Sequence, residues 1–237
     1  KDIVSFLSDS KTKTIIEIGP GKGILTKYLL KISHKEIKFV EIDEECVSYL
    51  KNKYPDIEKH LINDDFLNIN LNSFKQPLSI IGNFPYNISS QILFKIYENK
   101  IIVNEMIGMF QLEVAERICS NYGTKKYGIL SVLTQLFYKT KYLFSVNPSV
   151  FEPKPKVNSA VIELKRKEIF NLNCNETLLF KIIKLSFRQR RKTLRNSLKK
   201  LDLPLFLTED TIFDKRPEQL SGIDFVEISK MINNVKS

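Results

Sequence analysis

Leu78-Ser79-Ile80-Ile81-Gly82-Asn83-Phe84-Pro85-Tyr86 is the stretch from which the fold is read. Its first five residues have the length and apolar composition of a buried parallel strand. Its last four form a proline-stiffened turn at that strand's carboxyl end, where open α/β sheets carry their chemistry. There the Asn83 side-chain oxygen and the Pro85 carbonyl can accept the two hydrogens of an exocyclic amine while the Tyr86 ring stacks on the base. That arrangement suits a flipped adenine. Asn83, Pro85 and Tyr86 are therefore the candidate catalytic residues, although the same tetrapeptide can also be an ordinary strand-ending turn.

Outward from this stretch, apolar runs at 14–18, 37–41, 57–62 and 103–110 read as further strands. Helical spacings lie between them at 24–31, 44–52, 89–97, 111–120 and 129–137. Strands that alternate with helices imply a parallel sheet with crossover helices. Two last extended runs, 139–146 and 159–164, are joined by a proline-rich loop too short for a helical crossover, so they are expected to be antiparallel. Beyond about residue 165 the pattern turns helical and densely positive. The expected class is α/β, a Rossmann-like, mostly parallel seven-stranded sheet over 1–165 with a small basic helical domain over 166–237.

The chain of 237 residues can bury a core of that size. Its formal charge of +10 favours a polyanionic partner, either nucleic acid or an acidic membrane surface. No apolar stretch approaches the roughly 18 residues that span a bilayer, and the first residues lack a signal-peptide pattern. A soluble cytoplasmic protein is expected. The three cysteines, Cys46, Cys119 and Cys174, are widely spaced, and the two histidines, His34 and His60, have no metal-ligand partner at useful spacing. No metal site is expected, and catalysis by a histidine base or zinc is disfavoured.

The first strand runs into Glu17-Ile18-Gly19-Pro20-Gly21-Lys22-Gly23. Glycines here let the backbone approach a ligand and turn sharply into a helix. A dinucleotide fingerprint requires glycine at 24, where isoleucine stands. The spacing Glu-x-Gly-x-Gly-x-Gly resembles instead the first motif of class I S-adenosylmethionine (SAM) dependent methyltransferases. Glu41, about 20 residues past the glycines, ends the second strand where a carboxylate can take both ribose hydroxyls, with Ile42 beside it. In Asn63-Asp64-Asp65-Phe66-Leu67, Asp65 is positioned to accept from the cofactor's adenine amine and Phe66 to cover its ring. The candidate cofactor residues are Glu17, Gly19, Gly21, Glu41, Ile42, Asp65, Phe66 and Asn83.

The chain resembles the KsgA-type (RsmA) rRNA adenine dimethyltransferases, relatives of the Erm methyltransferases. The resemblance rests on Gly82 to Ser89, with phenylalanine at 84 where leucine or isoleucine is usual, and on Phe151-Glu152-Pro153-Lys154-Pro155-Lys156-Val157-Asn158-Ser159, a loop beside the target-base pocket. Both branches share that loop. Phe110 to Arg117, Tyr127 to Val132, Arg216 to Leu220 and above all Phe187 to Leu198 favour the KsgA branch. The resemblance implies SAM-dependent dimethylation of two adjacent adenosines in the 3′-terminal hairpin loop of small-subunit rRNA during ribosome biogenesis, by a monomer acting on the pre-ribosomal small subunit. Family members open with a Gln-His/Asn-Phe-Leu segment that helps close the cofactor pocket. None precedes Lys1, so a truncated or mobile arm ahead of that residue is expected.

The segment 181–200 carries dense positive charge at helical spacing, expected to bind phosphates with steep salt dependence. The candidate RNA contacts are Phe151, Lys154, Lys156, Arg188, Arg190, Arg191, Lys192 and Arg195. The rival readings are an Erm-like large-subunit rRNA methyltransferase and a non-catalytic ribosome-assembly factor. An intact Asn83–Tyr86 turn argues against the second.

Overall fold

The computed structural model describes residues 2–8, 11–150, 154, 157–168 and 171–236. Seven strands form one sheet: β1 (Thr14–Ile18), β2 (Glu36–Glu41), β3 (Leu61–Asn63), β4 (Leu78–Asn83), β5 (Val103–Gln111), β6 (Tyr138–Val146) and β7 (Ser159–Arg166). Their order is β3-β2-β1-β4-β5-β7-β6. The first five run parallel, β1 aligning Ile18 with both Val40 and Gly82. β7 runs antiparallel to β5, with Gly108 opposite Ile162. Strand order reverses between β1 and β4, which opens a crevice at their carboxyl ends. Every residue of β1 is buried, and β4 is buried as far as Gly82 and then surfaces at Asn83.

The helices are α1 (Asp2–Ser5), α2 (Thr26–Leu29), α3 (Glu44–Lys53), α4 (Ser89–Glu98), α5 (Leu112–Cys119), α6 (Ile129–Phe137), α7 (Glu176–Arg188), α8 (Leu194–Ser197), α9 (Leu205–Thr208) and α10 (Gly222–Lys236). α3 starts where Asp43 accepts from the Glu45 and Cys46 amides, with acidic residues in its first turn and lysines in its last, as the helix dipole favours. The expected helix at 24–31 shrinks to a single turn flanked by the glycine loop. The expected strand at 57–62 is also corrected. Pro55 opens a 3-10 turn over Pro55–His60 that buries Ile57, and the strand is only Leu61–Asn63.

The chain divides into two compact units, Lys1–Ala115 with Lys139–Arg166, and Glu116–Tyr138 with Lys167–Ser237. The first unit holds the sheet. Opposite its crevice, buried Glu105 accepts from Ser8 and Ser79, and Thr12 shares a 2.6 Å hydrogen bond with Ser79. In the second unit α6 meets α7 through Phe137–Phe180, α7 meets α10 through Phe187–Phe225, and Tyr127, just ahead of α6, meets Phe187. Gly222 lies so close to Leu136 that a Cβ there would stand 2.9 Å from its Cδ2. The division expected at 165/166 is thus drawn differently: the segment Glu116–Tyr138 groups with the carboxyl-terminal helices because the apolar α6 supplies part of their core.

Candidate active site

Four successive strand ends build the site. β1 runs into Gly19, Gly21 and Gly23, with φ of 63°, 53° and 76°, values that L side chains adopt only at a cost. A Cβ at Gly23 would press on Leu50 and Tyr54 at 3.0 Å. A Cβ at Gly19 would stand 3.9 Å from Pro85 Cδ, so the glycine loop lies directly against the turn after β4. Behind the loop, Lys53 donates to the Lys22 carbonyl and the Tyr54 hydroxyl to that of Gly23.

At the end of β2, the buried Glu41 carboxylate accepts from Gly21 N at 2.9 Å and Asp43 N at 3.0 Å. One lone pair on each oxygen is committed, and the other can accept from a diol. The neighbouring Ile42 is 65% exposed, an apolar side chain open to cover by a ligand. The Glu41 backbone carbonyl accepts from Asn63 Nδ2 and Asp64 N, which ties the end of β2 to the loop after β3. In that loop Asp65 Oδ1 accepts from Leu67 N at 2.9 Å. Phe66 is 3% exposed, so little of its ring is left to lie over a ligand, and it anchors the loop from beneath.

Glu17 differs from the other acidic stations. It is 1% exposed, and its Oε2 accepts from Thr26 Oγ1 of α2 at 2.8 Å. Burial, helped by the Glu41 charge and opposed by the Thr26 bonds, pushes its pKa up to about 8. It holds the start of α2 beneath the glycine loop.

At the end of β4, Asn83 is exposed, and among the described residues its side-chain amide has no hydrogen-bond partner. Phe84 points inward, 1% exposed, its ring edge-on to Phe110 at 5.2 Å. Gly82 and Gly108 make room for it: a Cβ at Gly108 would meet Phe84 Cε2 at 2.2 Å. The Pro85 carbonyl accepts from Ile88 N at 3.2 Å and keeps a lone pair for another donor. The Tyr86 hydroxyl shares a 2.6 Å hydrogen bond with Ser159, which is fully buried at the start of β7. Inward Phe84 and tethered Tyr86 leave Asn83 as the outward polar group of the turn.

Ser159 is a site residue the sequence reading did not single out, although it closes the proline-rich loop motif. Phe151 and Lys156 of that motif lie outside the described residues, and Lys154 is exposed. The basic stretch is not one helix: α7 ends at Arg188, a turn follows, and α8 begins at Leu194. Arg188, Arg191 and Lys192 are exposed. Arg190 donates to the Thr124 carbonyl at 3.0 Å and faces Glu218 at 3.9 Å. Arg195 donates to the Thr208 carbonyl at 3.0 Å and pairs with Asp214 at 2.9 Å. Those two arginines are engaged within their own unit. Among the described residues no cluster of three or more His, Cys, Asp or Glu could hold a metal ion, and no helix is long and apolar enough to cross a membrane.

The geometry therefore offers a positive-φ glycine loop, a diol-accepting carboxylate, an acidic loop after β3 and an amide-bearing turn, all at neighbouring strand ends. This donor set fits a nucleoside-containing cofactor such as SAM. Residues 1–221 match the family model described as ribosomal RNA adenine dimethylase. The chain is 52% identical to the ribosomal RNA small subunit methyltransferase A of Flavobacterium johnsoniae, over 98% of this chain and 89% of that protein. To the protein of the same name from Bacteroides thetaiotaomicron it is 48% identical, over 98% and 88%. A dimethyladenosine transferase from Plasmodium falciparum superposes with a TM-score of 0.84 at 27% identity, over 98% of this chain and 94% of that one. The 23S rRNA methyltransferase ErmE, at 23% identity and a TM-score of 0.70 over 97% and 96%, shares the fold. With the family model and these relatives covering nearly the whole chain, the protein belongs to the ribosomal RNA adenine dimethylase family of SAM-dependent methyltransferases.

Proposed function

We propose that the protein dimethylates the exocyclic amines of two adjacent adenosines in the 3′-terminal hairpin loop of small-subunit rRNA, acting in the cytoplasm as a monomer on the maturing small subunit. The observation that carries this reading is the outward Asn83 amide on a turn packed against the glycine loop. The names of the relatives favour the small subunit over the large. Gly19, Gly21, Glu41, Ile42, Asp65 and Asn83 would hold the cofactor, with Glu17 and Phe66 supporting their loops from below. Bound there, SAM supplies an electrophilic sulfonium methyl.

The protein's own task is alignment. An adenine amine is a weak nucleophile because its lone pair is delocalised into the ring. Accepting its two N–H bonds at Asn83 Oδ1 and the Pro85 carbonyl draws the nitrogen toward tetrahedral geometry and aims the lone pair, while Tyr86 supports the base by stacking. The best-oriented systems gain roughly 7 to 11 kcal/mol from such placement. Each transfer leaves the amine nitrogen cationic and strongly acidic, and its N–H proton passes to solvent, so no histidine base is required. A second transfer needs one remaining N–H, which either acceptor can take. In the second unit Arg188, Arg191 and Lys192 would meet RNA phosphates, with Arg190 and Arg195 shaping that unit's basic surface from within. In the first unit Lys154 would do the same.

The test is transfer of labelled methyl groups from SAM to small subunits lacking the modification, beside large subunits. Label in the small subunit alone supports the reading. Label in the large subunit alone would move the protein to the Erm-like activity.

A further inference from the structure

Lys95 lies in the second turn of α4, beside the buried Ile92, Leu93 and Ile96. Its ammonium donates to the Leu67 carbonyl at 2.7 Å and the Ile69 carbonyl at 2.6 Å, and stands 5.3 Å from the centroid of the Phe66 ring. Two carbonyls and an aromatic face of one short loop thus converge on a single cation. Such bonds are charge-assisted and stronger than neutral ones, and they arrest a side chain that otherwise samples many rotamers. Burial lowers the Lys95 pKa, a pull opposed by Asp65, Glu98 and Asp64.

The loop held in this way is the one that carries Asp65. The helix that holds it begins at the turn carrying Asn83: Ile88 N donates to the Pro85 carbonyl and Ser89 Oγ to the Tyr86 carbonyl at 3.1 Å. Ser89 and Lys95 are about 9 Å apart along the axis at 1.5 Å per residue. One helix therefore grips one loop at its start and the other less than two turns further along.

We propose that Lys95 is a positioning residue that fixes the loop from Asp65 to Ile69 for the adenosine half of the cofactor and keeps it in register with the Asn83–Tyr86 turn. This rests on the reading of that loop as a cofactor station. Lys95 touches neither substrate nor cofactor; it acts through the backbone it holds. Its loss should weaken cofactor binding and loosen this loop while leaving RNA affinity in place.

The test uses S-adenosylhomocysteine binding by calorimetry, hydrogen exchange and RNA binding for the full chain, K95M and K95R. K95M keeps the apolar stem without the charge and should bind about tenfold more weakly, as expected for loss of charge-assisted bonds. K95R, which keeps a donor cation, should recover most of that loss. Exchange in K95M should quicken at 65–69 and not across β1 or β5. In the unmutated chain, S-adenosylhomocysteine should protect 65–69 together with the glycine loop, a readout that needs no variant. Protection of the glycine loop without 65–69 would overturn the proposal, and so would equal affinity of K95M and the unmutated chain. If the unmutated chain failed to bind S-adenosylhomocysteine at all, the cofactor reading would fail first and the proposal with it.

Discussion

At the scale of single residues, the Tyr86–Ser159 hydrogen bond separates two roles that one side chain can play. If the hydroxyl serves only to hold the ring, Tyr86→Phe and Ser159→Ala each remove the same bond, so their effects on kcat should not add. Each single variant is expected to lower kcat about tenfold and the double variant about as much; additive losses in steady-state kinetics would contradict the tether. Glu17 gives a second test. Its pKa rises from 4.5 to about 8 on folding, so the folded state binds the proton more tightly than the unfolded one. Its contribution to stability is complete below pH 4.5 and lost as pH rises through about 8. Glu17→Gln, which mimics the protonated form, should show a shallower loss of Tm than the unmutated chain between pH 4.5 and about 8. Parallel Tm profiles would sink this account. The sequence marked Asn83 as a candidate because an amide two residues before a proline at the end of a buried strand can face a ligand, while it left an ordinary strand-ending turn open. Lys95 was not marked, because a lysine on a helix reads as a solvated charge until the carbonyls it reaches are known.

At the scale of elements, β4 and β5 are shaped around Phe84. The ring occupies the space that side chains at Gly82 and Gly108 would fill. Gly108→Ala should destabilise the fold by about 1–3 kcal/mol through overpacking. Phe84→Leu in the same chain should recover part of that loss, a coupling that thermal melts of the four proteins would measure. Independent effects would show that the ring and the glycine do not share this space. The strands with unbroken apolar runs were read correctly from sequence. The third was misplaced because Ile57 is apolar for a different reason: Pro55 starts a turn that buries it, and periodicity alone does not distinguish the two.

At the scale of the whole molecule, a charge of +10 points to a polyanion but not to the cations that meet it. The sequence could not show that Arg190 and Arg195 reach carbonyls and carboxylates inside their own unit. Replacing Arg191 and Lys192 together by alanine should weaken binding to small-subunit rRNA and reduce the salt slope by about two, roughly one per cation. Arg190→Ala should instead lower Tm. The opposite pattern in salt titrations and melts would reverse these assignments. The grouping of Glu116–Tyr138 with the carboxyl-terminal helices was likewise hidden, since α6 reads as one more crossover helix until its partners are seen. The central claim, that the Asn83 turn dimethylates adenosines of small-subunit rRNA, is tested most directly by mass-spectrometric mapping of that rRNA. Small subunits lacking the modification would be incubated with SAM and either the unmutated chain or Asn83→Ala. The account predicts dimethyladenosine at two adjacent positions in the 3′-terminal hairpin loop with the unmutated chain and none with the variant. Equal product from Asn83→Ala, or dimethyladenosine only elsewhere, would contradict it.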